Sequence, residues 1–398
     1  MDYCIRPMHP TVLTLNGGSS SIRFAVFSSD RPPAALLRGK IERIGADAKM
    51  SVTRGQEAPL ELAPKSRDRD SAIAFLLNWL EGQPEFASLV AVGHRVVHGM
   101  SHCAPERVTA ELLEELARIV PFDPEHLPGE IALMDAVRRR HSELPQIACF
   151  DTAFHQSMPR VAVQLTLPRR FEARGVRRYG FHGLSYTYLI EELRRLGDPA
   201  ATNGRVILAH LGSGASMAAV RSGISVDTSM GFTPTAGLVM GTRSGDLDPG
   251  VMSYLALEEG MDAARFRTMV NHESGLLGIS ETSADVRDLL ERESSDSRAA
   301  EAIDLFCYQA RKWIGAYTAA LGGLDTLVFA GGIGENSAPV RARICACMKF
   351  LGIELDGGEN ARHASRISPV GAPVSVRVIR TDEESIIASL TIELLGLR

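Results

Sequence analysis

Apolar residues recur along this chain in two rhythms. Short runs rich in β-branched and aliphatic residues, bounded by Gly, Pro or Asn, predict strands at residues 11–15, 22–27, 89–97, 144–150 and 324–330. Apolar positions three and four apart predict amphipathic helices at 107–120, 130–141 and 185–196, a long helix at 299–321 and a closing helix at 383–395. Residues 205–220 repeat the strand, Gly/Ser turn, strand pattern of residues 11–27. The stretch 51–69, rich in Pro, Gly and charge, reads as a surface excursion. Alternating strands and helices imply an α/β fold.

One internal echo bears on domain organisation. Slid by 195 residues, Gly17 falls on Gly212 and Ser21 on Ser216, in two segments of the same strand, turn, strand form. An offset near half the chain suggests two duplicated domains. Two unrelated hairpins with common turn residues explain the echo equally well.

Composition narrows the class. Hydrophobic residues at 45% and charged residues at 23% are those of an ordinary globular protein. At about 150 residues per domain, 398 residues suggest two or three domains. A balance of 43 Lys and Arg against 48 Asp and Glu argues against nucleic acid as the main partner. No apolar run reaches the length of a membrane span. Residues 1–10 lack an apolar core and read as a short extension rather than a signal peptide. Six cysteines make no disulfide framework, so a reducing cytoplasm is the simplest setting.

Candidate chemistry sits on loops after strands. The chain has no G-x-x-x-x-G-K-[ST] motif, but three Gly-rich turns, NGGSSS (16–21), HLGSGAS (210–216) and GGIGEN (331–336), follow strands. Each could bring backbone N–H groups to phosphate oxygens; singly, each reads as a tight turn. In GHRVVHG (93–99), Arg95 and Val97 share one face of a strand, a cation beside an apolar wall that suits a small carboxylate. His94, His98 and His102 have a spacing that would align metal ligands on a helix. Their neighbours argue for strand and turn, where His94 and His98 would stand about 13 Å apart. Asp151 falls at a strand end, His182 between two glycines and Arg243 in a polar loop with Asp246 and Asp248 ahead of a helix near Pro249. Glu383 lies in the first turn of the last helix, where capping alone would justify an acid. Cys345 and Cys347 read as packing residues in a helix.

Taken together and in order, NGGSSSIRF, GHRVVHG, DTAFHQSMP, RYGFHG, HLGSGAS, SVDTSMGFTP, MGTRSGDLDPG, GGIGEN and TDEE resemble the acetate kinase family, within the superfamily of actin, sugar kinases and heat-shock ATPases. The resemblance runs from Val12 to the final helix. It implies an α/β fold of two duplicated ribonuclease-H-like domains, 1–150 plus 384–398 and 151–383, the second binding nucleotide and the active site lying in the cleft between them. It implies reversible Mg²⁺-dependent phosphoryl transfer from ATP to acetate, and a homodimer.

Carried over by motif, Arg95 and Arg243 resemble the arginines that hold carboxylate and phosphoryl group, Asp151 the active-site aspartate and His182 the transition-state histidine. Asn16 and Glu383 match positions tied to Mg²⁺. Arg23 stands where the family usually has Lys, at a position that the resemblance ties to nucleotide phosphate. The ATP-binding segments are similar to His210, Leu211, Gly212, Ser213 and Gly214, to Asp285, Val286 and Arg287, and to Gly332, Ile333, Gly334, Glu335 and Asn336. Val97, Phe122, Phe181 and Pro234 match the acyl pocket. Acetate is already ionised at neutral pH, so Asp151 is assigned an orienting or metal-linked role rather than proton abstraction.

The chain departs from the pattern at Asp123, where His is usual, with His126 three residues on, and at Phe122, Ser213, Met100, Leu184 and Tyr186. The bulkier Phe122 should favour acetate over longer acids. The alternatives are a propionate or butyrate kinase of the same fold and, in a different class, a nucleotide-dependent sensor or binding module.

Overall fold

The computed structural model describes residues 9–18, 20–55, 57–64 and 66–397. The sequence reading of residues 1–8 lies outside this range. The chain divides into two compact units, one of residues up to Ala153 together with those from Asp382 onward, the other Phe154–Thr381. Asp151 and Glu383 therefore both belong to the first unit.

The first unit is built on an eight-stranded sheet: β1 (Thr11–Gly17), β2 (Ile22–Ser28), β3 (Ala35–Glu42), β4 (Lys49–Thr53), β5 (Leu60–Leu62), β6 (Leu89–Val96), β7 (Glu106–Arg107) and β8 (Gln146–Phe150). Their order is β5-β4-β3-β2-β1-β6-β8-β7. The hairpin β1–β2 and its neighbour β3 are antiparallel, whereas β6 and β8 run parallel to β1. All seven residues of β1 are buried, because helices cover both faces of this central strand. On one face α1 (Arg69–Glu81) and α3 (Leu127–Arg140) pack Ile73, Leu76, Leu80 and Leu133 against Leu13, Leu15 and Phe24. The helix α2 (Ala110–Arg118) starts under the side-chain cap of Thr109 and contributes Leu112 and Leu116 to a smaller cluster with Phe150.

The closing helix, Glu383–Leu395, returns to the other face, setting Ile392 on Val12 and Ala91, and Ala388 on Ala25 and Phe27. Its approach explains a glycine in GHRVVHG: a Cβ on Gly93 would lie 2.4 Å from Thr391 Oγ1 and 2.5 Å from Ile387 Cγ2.

The second unit carries a five-stranded sheet: β9 (Arg205–Leu211), β10 (Ala215–Arg221), β11 (Ile224–Thr228), β12 (Thr326–Ala330) and β13 (Ser375–Val378), in the order β11-β10-β9-β12-β13. The first three are antiparallel and β9, β12 and β13 parallel. This is the arrangement of β3-β2-β1-β6-β8, so the echo in the sequence is a repeated fold, two ribonuclease-H-like α/β units. Helices α4 (Gly183–Arg195), α5 (Gly250–Glu258) and α6 (Ser297–Leu321) and the one-turn α7 (Gly331–Asn336) belong to this unit.

Several details differ from expectation. The supposed excursion at 51–69 contains most of β4 and all of β5; Met50 and Val52 point into the core with period two, a pattern masked by the surrounding Pro and Gly. GGIGEN, which follows its strand as expected, is itself a helical turn. Cys345 is buried at the end of its helix, but Cys347 lies beyond it, exposed, at φ 64°. His94 meets the Gln146 amide at 2.8 Å, and His102 bonds Glu106 and sits near Glu115, so the three histidines do not converge. Among the described residues no group of three His, Cys, Asp or Glu could hold a metal ion, and no helix is long and apolar enough to cross a membrane.

Candidate active site

In the first unit the site grows from the ends of parallel strands, where open α/β sheets bind ligands. Arg95 is the penultimate residue of β6 and Asp151 follows β8 directly. The Arg95 Nε donates to Asp151 Oδ2 at 2.9 Å, NH2 donates to the same oxygen, and NH1 donates to Asn16 Oδ1 at 3.2 Å. Asn16, near the end of β1, passes the chain on: its Nδ2 donates to Glu383 Oε2 at 3.0 Å. Residues 367 apart in sequence thus meet because β1 lies under the N-terminus of the closing helix. The cap of that helix is Asp382, whose Oδ1 accepts the Ser385 N–H, so Glu383 is released from capping duty.

Burial opposes the charge of Arg95, but Asp151, Glu383 and Glu130 outweigh it and hold the guanidinium above its ordinary pKa. Three of the five N–H donors of this guanidinium serve Asp151 and Asn16, leaving two for an anion.

Glu130, on α3, is a member of this cluster that sequence reasoning missed. It is 2% exposed and accepts the Val97 N–H at 3.1 and 3.3 Å. Burial pushes its carboxyl up to about 8, with Asp123 and Asp151 adding to the rise and Arg95 and the Val97 N–H opposing it. Nothing in a helical sequence marks such an acid. Asp123 and His126 are likewise buried, joined at 2.8 Å. Phe122 sets its ring edge-on to His98, with centroids 5.9 Å apart. Val97 is buried, and Arg23 is exposed on β2.

In the second unit the turns do most of the work. His182 holds a left-handed backbone, φ 60° and ψ 24°, at the N-cap of α4. A non-glycine residue in that region stores strain of the kind seen at functional sites. The turn between β9 and β10 lies beside it: a Cβ on Gly214 would stand 3.5 Å from His182 Nε2 and 3.7 Å from Arg243 NH1. Arg243 NH1 also donates to the Pro234 carbonyl at 3.1 Å. The His182 ring stacks on His210, centroids 4.3 Å apart and planes at 21°. Phe181, buried, presents its carbonyl to His155 Nε2 at 3.1 Å.

The predicted nucleotide segments converge. Gly241 N donates to Ser213 O at 3.0 Å, and a Cβ on Gly241 would lie 3.2 Å from Ala284 O, beside Asp285. A Cβ on Gly212 would be 3.8 Å from Gly332 N. Glu335 holds α7 in place: its Oε1 accepts the N–H of Gly331 at 3.0 Å and of Thr381 at 3.1 Å. Arg341 was not anticipated; wholly buried, it donates to the carbonyls of Gly334 and Glu335 from behind the turn. Asp285 caps the helix that begins at Val286, and pairs with Arg287 on the surface. Ile333 is half-buried; Gly332 and Asn336 are exposed.

A repeated ribonuclease-H-like fold with Gly-rich turns after its strands is the architecture of a class of phosphotransferases. Residues 11–389 match the acetokinase family. The acetate kinase of Rhodopseudomonas palustris is 44% identical over 389 residues, covering 96% of this chain and 97% of that protein. A propionate kinase of Citrobacter rodentium is 42% identical, covering 96% of each. Among solved structures, Porphyromonas gingivalis acetate kinase superposes with a TM-score of 0.87 at 35% identity, covering 97% of this chain and 100% of that one. The propionate kinase of Francisella tularensis does so with 0.90 at 35%, covering 96% and 99%. The chain belongs to the acetokinase family. It is a phosphotransferase with a carboxyl group as acceptor, and its activity is that of an acetate kinase.

Proposed function

We propose that the enzyme transfers the γ-phosphoryl group of ATP directly and reversibly to acetate, giving acetyl phosphate and ADP. The observation that carries this reading is the meeting of His182 Nε2 and the Arg243 guanidinium at Gly214. Two donors there can neutralise equatorial oxygens of an in-line phosphoryl transfer, which asks the protein mainly for position and charge. Arg95 takes the acetate carboxylate with its two remaining donors, and the assignment of Val97, Phe122, Phe181 and Pro234 to the methyl group is the one the family resemblance implies. Asp151 orients Arg95: its Oδ2 accepts two N–H groups, the role of an anchor rather than of a base. The segments 210–214, 285–287 and 332–336, with Arg23, hold the nucleotide.

Asn16 and Glu383 would supply an amide oxygen and a carboxylate, hard-oxygen donors of the kind Mg²⁺ takes beside water and phosphate ligands, the Asn16 amide then exchanging its present bonds, oxygen to Arg95 and nitrogen to Glu383. When bound, Mg²⁺ would neutralise charge on the ATP phosphates. A homodimer is supported by α5, which buries none of its residues although Tyr254 is 63% and Leu257 84% exposed. Free thiols at Cys103, Cys149, Cys307, Cys345 and Cys347 suit the reducing cytoplasm.

The test is a hydroxylamine trap for acyl phosphate with ATP, Mg²⁺ and, in parallel, acetate, propionate and butyrate. A strong acetate product that disappears in Arg243→Ala is expected. Product only from a longer acid would make this a propionate or butyrate kinase. ATP binding without any acyl phosphate would leave a nucleotide-dependent sensor.

A further inference from the structure

The first turn of α4 carries a side chain that the reaction above does not use. Tyr186 is fully buried, and its hydroxyl is hydrogen-bonded to Ser216 Oγ. Ser216, on β10, is also fully buried, and its Oγ lies 2.9 Å from His182 Nδ1. We propose that Tyr186 and Ser216 form a hydroxyl relay that fixes His182 in the tautomer with its proton on Nε2, which makes Tyr186 a positioning residue for phosphoryl transfer. This rests on the reading of His182 as a catalytic residue.

The argument is one of donors and acceptors. Ser216 has a single hydroxyl hydrogen and two neighbours, a phenol and an imidazole nitrogen. The phenol is the stronger acid and so the better donor; it donates to Ser216 Oγ. The serine hydrogen is then left for His182 Nδ1, which must accept it. A neutral imidazole that accepts at Nδ1 carries its hydrogen at Nε2. Nε2 is the atom that faces Gly214 and Arg243. There an N–H donor meets a phosphoryl oxygen, whereas the other tautomer would turn a lone pair toward an anion.

The surroundings hold the relay rigid. The phenol ring is wedged by His155, edge-on at 5.6 Å, and Phe154 at 5.7 Å. The imidazole plane is held by the stack on His210, whose Nδ1 is fastened to Ser185 Oγ at 2.8 Å. Ser185 in turn reaches Thr381 Oγ1 at 2.8 Å.

The experiment uses the full chain labelled with ¹⁵N-histidine. Long-range ¹H–¹⁵N correlation spectra report which nitrogen of each neutral ring is protonated, and His182→Gln assigns the signal. Wild type is expected to show His182 protonated at Nε2. Tyr186→Phe keeps the ring and removes the relay's first donor. It should give a mixed or reversed His182 tautomer and lower kcat by about tenfold or more, with KM for ATP and for acetate held within about twofold. Ser216→Ala should do the same, and Ser216→Thr, which keeps the hydroxyl, should restore both readouts. An unchanged tautomer in Tyr186→Phe and Ser216→Ala would overturn the relay. A shifted tautomer with unchanged kcat would overturn its role in positioning. If His182→Ala alone leaves kcat intact, the catalytic reading of His182 falls and the positioning role with it, while the spectra still report whether the relay exists.

Discussion

Near the end of β1 the first unit places Asn16; near the end of β9 the second places His210, and the two strands are the centres of sheets with the same order. Around Asn16 the chemistry is made by charged side chains. Arg95, Asp151, Glu383 and Glu130 form one network in which the three acids are held together by the Arg95 charge. Around His210 it is made by main chain. Turns at 210–214 and 331–336 present backbone, with the His182 and Arg243 side chains beside Gly214. The same scaffold can thus carry either kind of site. A network of buried charges depends on every member, because removing one leaves a charge without compensation. A turn tolerates much side-chain change but no intruding Cβ.

Arg95→Ala should break the comparison most sharply. It strands Asp151, which is 0% exposed, beside Glu383 and Glu130. Acyl phosphate formation should become undetectable, and urea denaturation should show a loss of about 3–5 kcal/mol. An unchanged unfolding midpoint would mean that the network is less coupled than its geometry indicates.

Arg243→Ala comes next. Its guanidinium is half-buried, and NH1 donates to the Pro234 carbonyl. kcat should fall about 10²–10³-fold, as for loss of one donor to a developing charge, with the unfolding midpoint unmoved. A matching drop in stability would place Arg243 in the same category as Arg95.

Gly331→Ala probes the main-chain site. Gly331 has φ 74°, and a Cβ there would lie 2.7 Å from Leu211 O. A cost of about 1–3 kcal/mol and a raised KM for ATP, with KM for acetate unaltered, are expected. A rise in KM for acetate instead would contradict the division of labour between the units.

The last effect is on the pH dependence of stability, where the units should oppose each other. Glu130 is raised by burial from 4.5 to about 8. Its contribution is full at low pH and is lost as pH rises through 8, since the folded state holds the proton longer. His155 is lowered by burial from 6.5 to about 4. Its contribution is full above 6.5 and is lost as pH falls through 4. Glu130→Gln should flatten the alkaline side of the stability profile in urea and leave the acid side; the reverse pattern would contradict the assignment.

Much of the fold was legible because period and turn chemistry are local. The closing helix at 383–395, the hairpin at 11–27 and the long helix ending at Leu321 follow from apolar spacing and Gly caps. β4 was lost because Pro and Gly around it outweigh five alternating residues. α3 begins at Leu127, three residues early, because Pro128 starts a helix as readily as it ends one. Among the site residues, Arg95, Asp151, His182 and Arg243 stood out through motifs in strand ends and Gly-rich loops. Glu130, Arg341 and the Ser216 hydroxyl did not, because they sit inside ordinary helices and strands and acquire their roles only from what is packed against them.

By itself, then, the amino-acid sequence determined the alternation of strands and helices and the family, since each is written in residue type and spacing along the chain. Only the tertiary structure decided that Asn16 joins Arg95 to Glu383 across 367 residues. It alone decided that Glu130 holds the Val97 amide, and that Tyr186 reaches His182 through Ser216. Hydrogen bonds and buried charges act over about 3–4 Å in space, and no local pattern encodes which distant atoms come within that range.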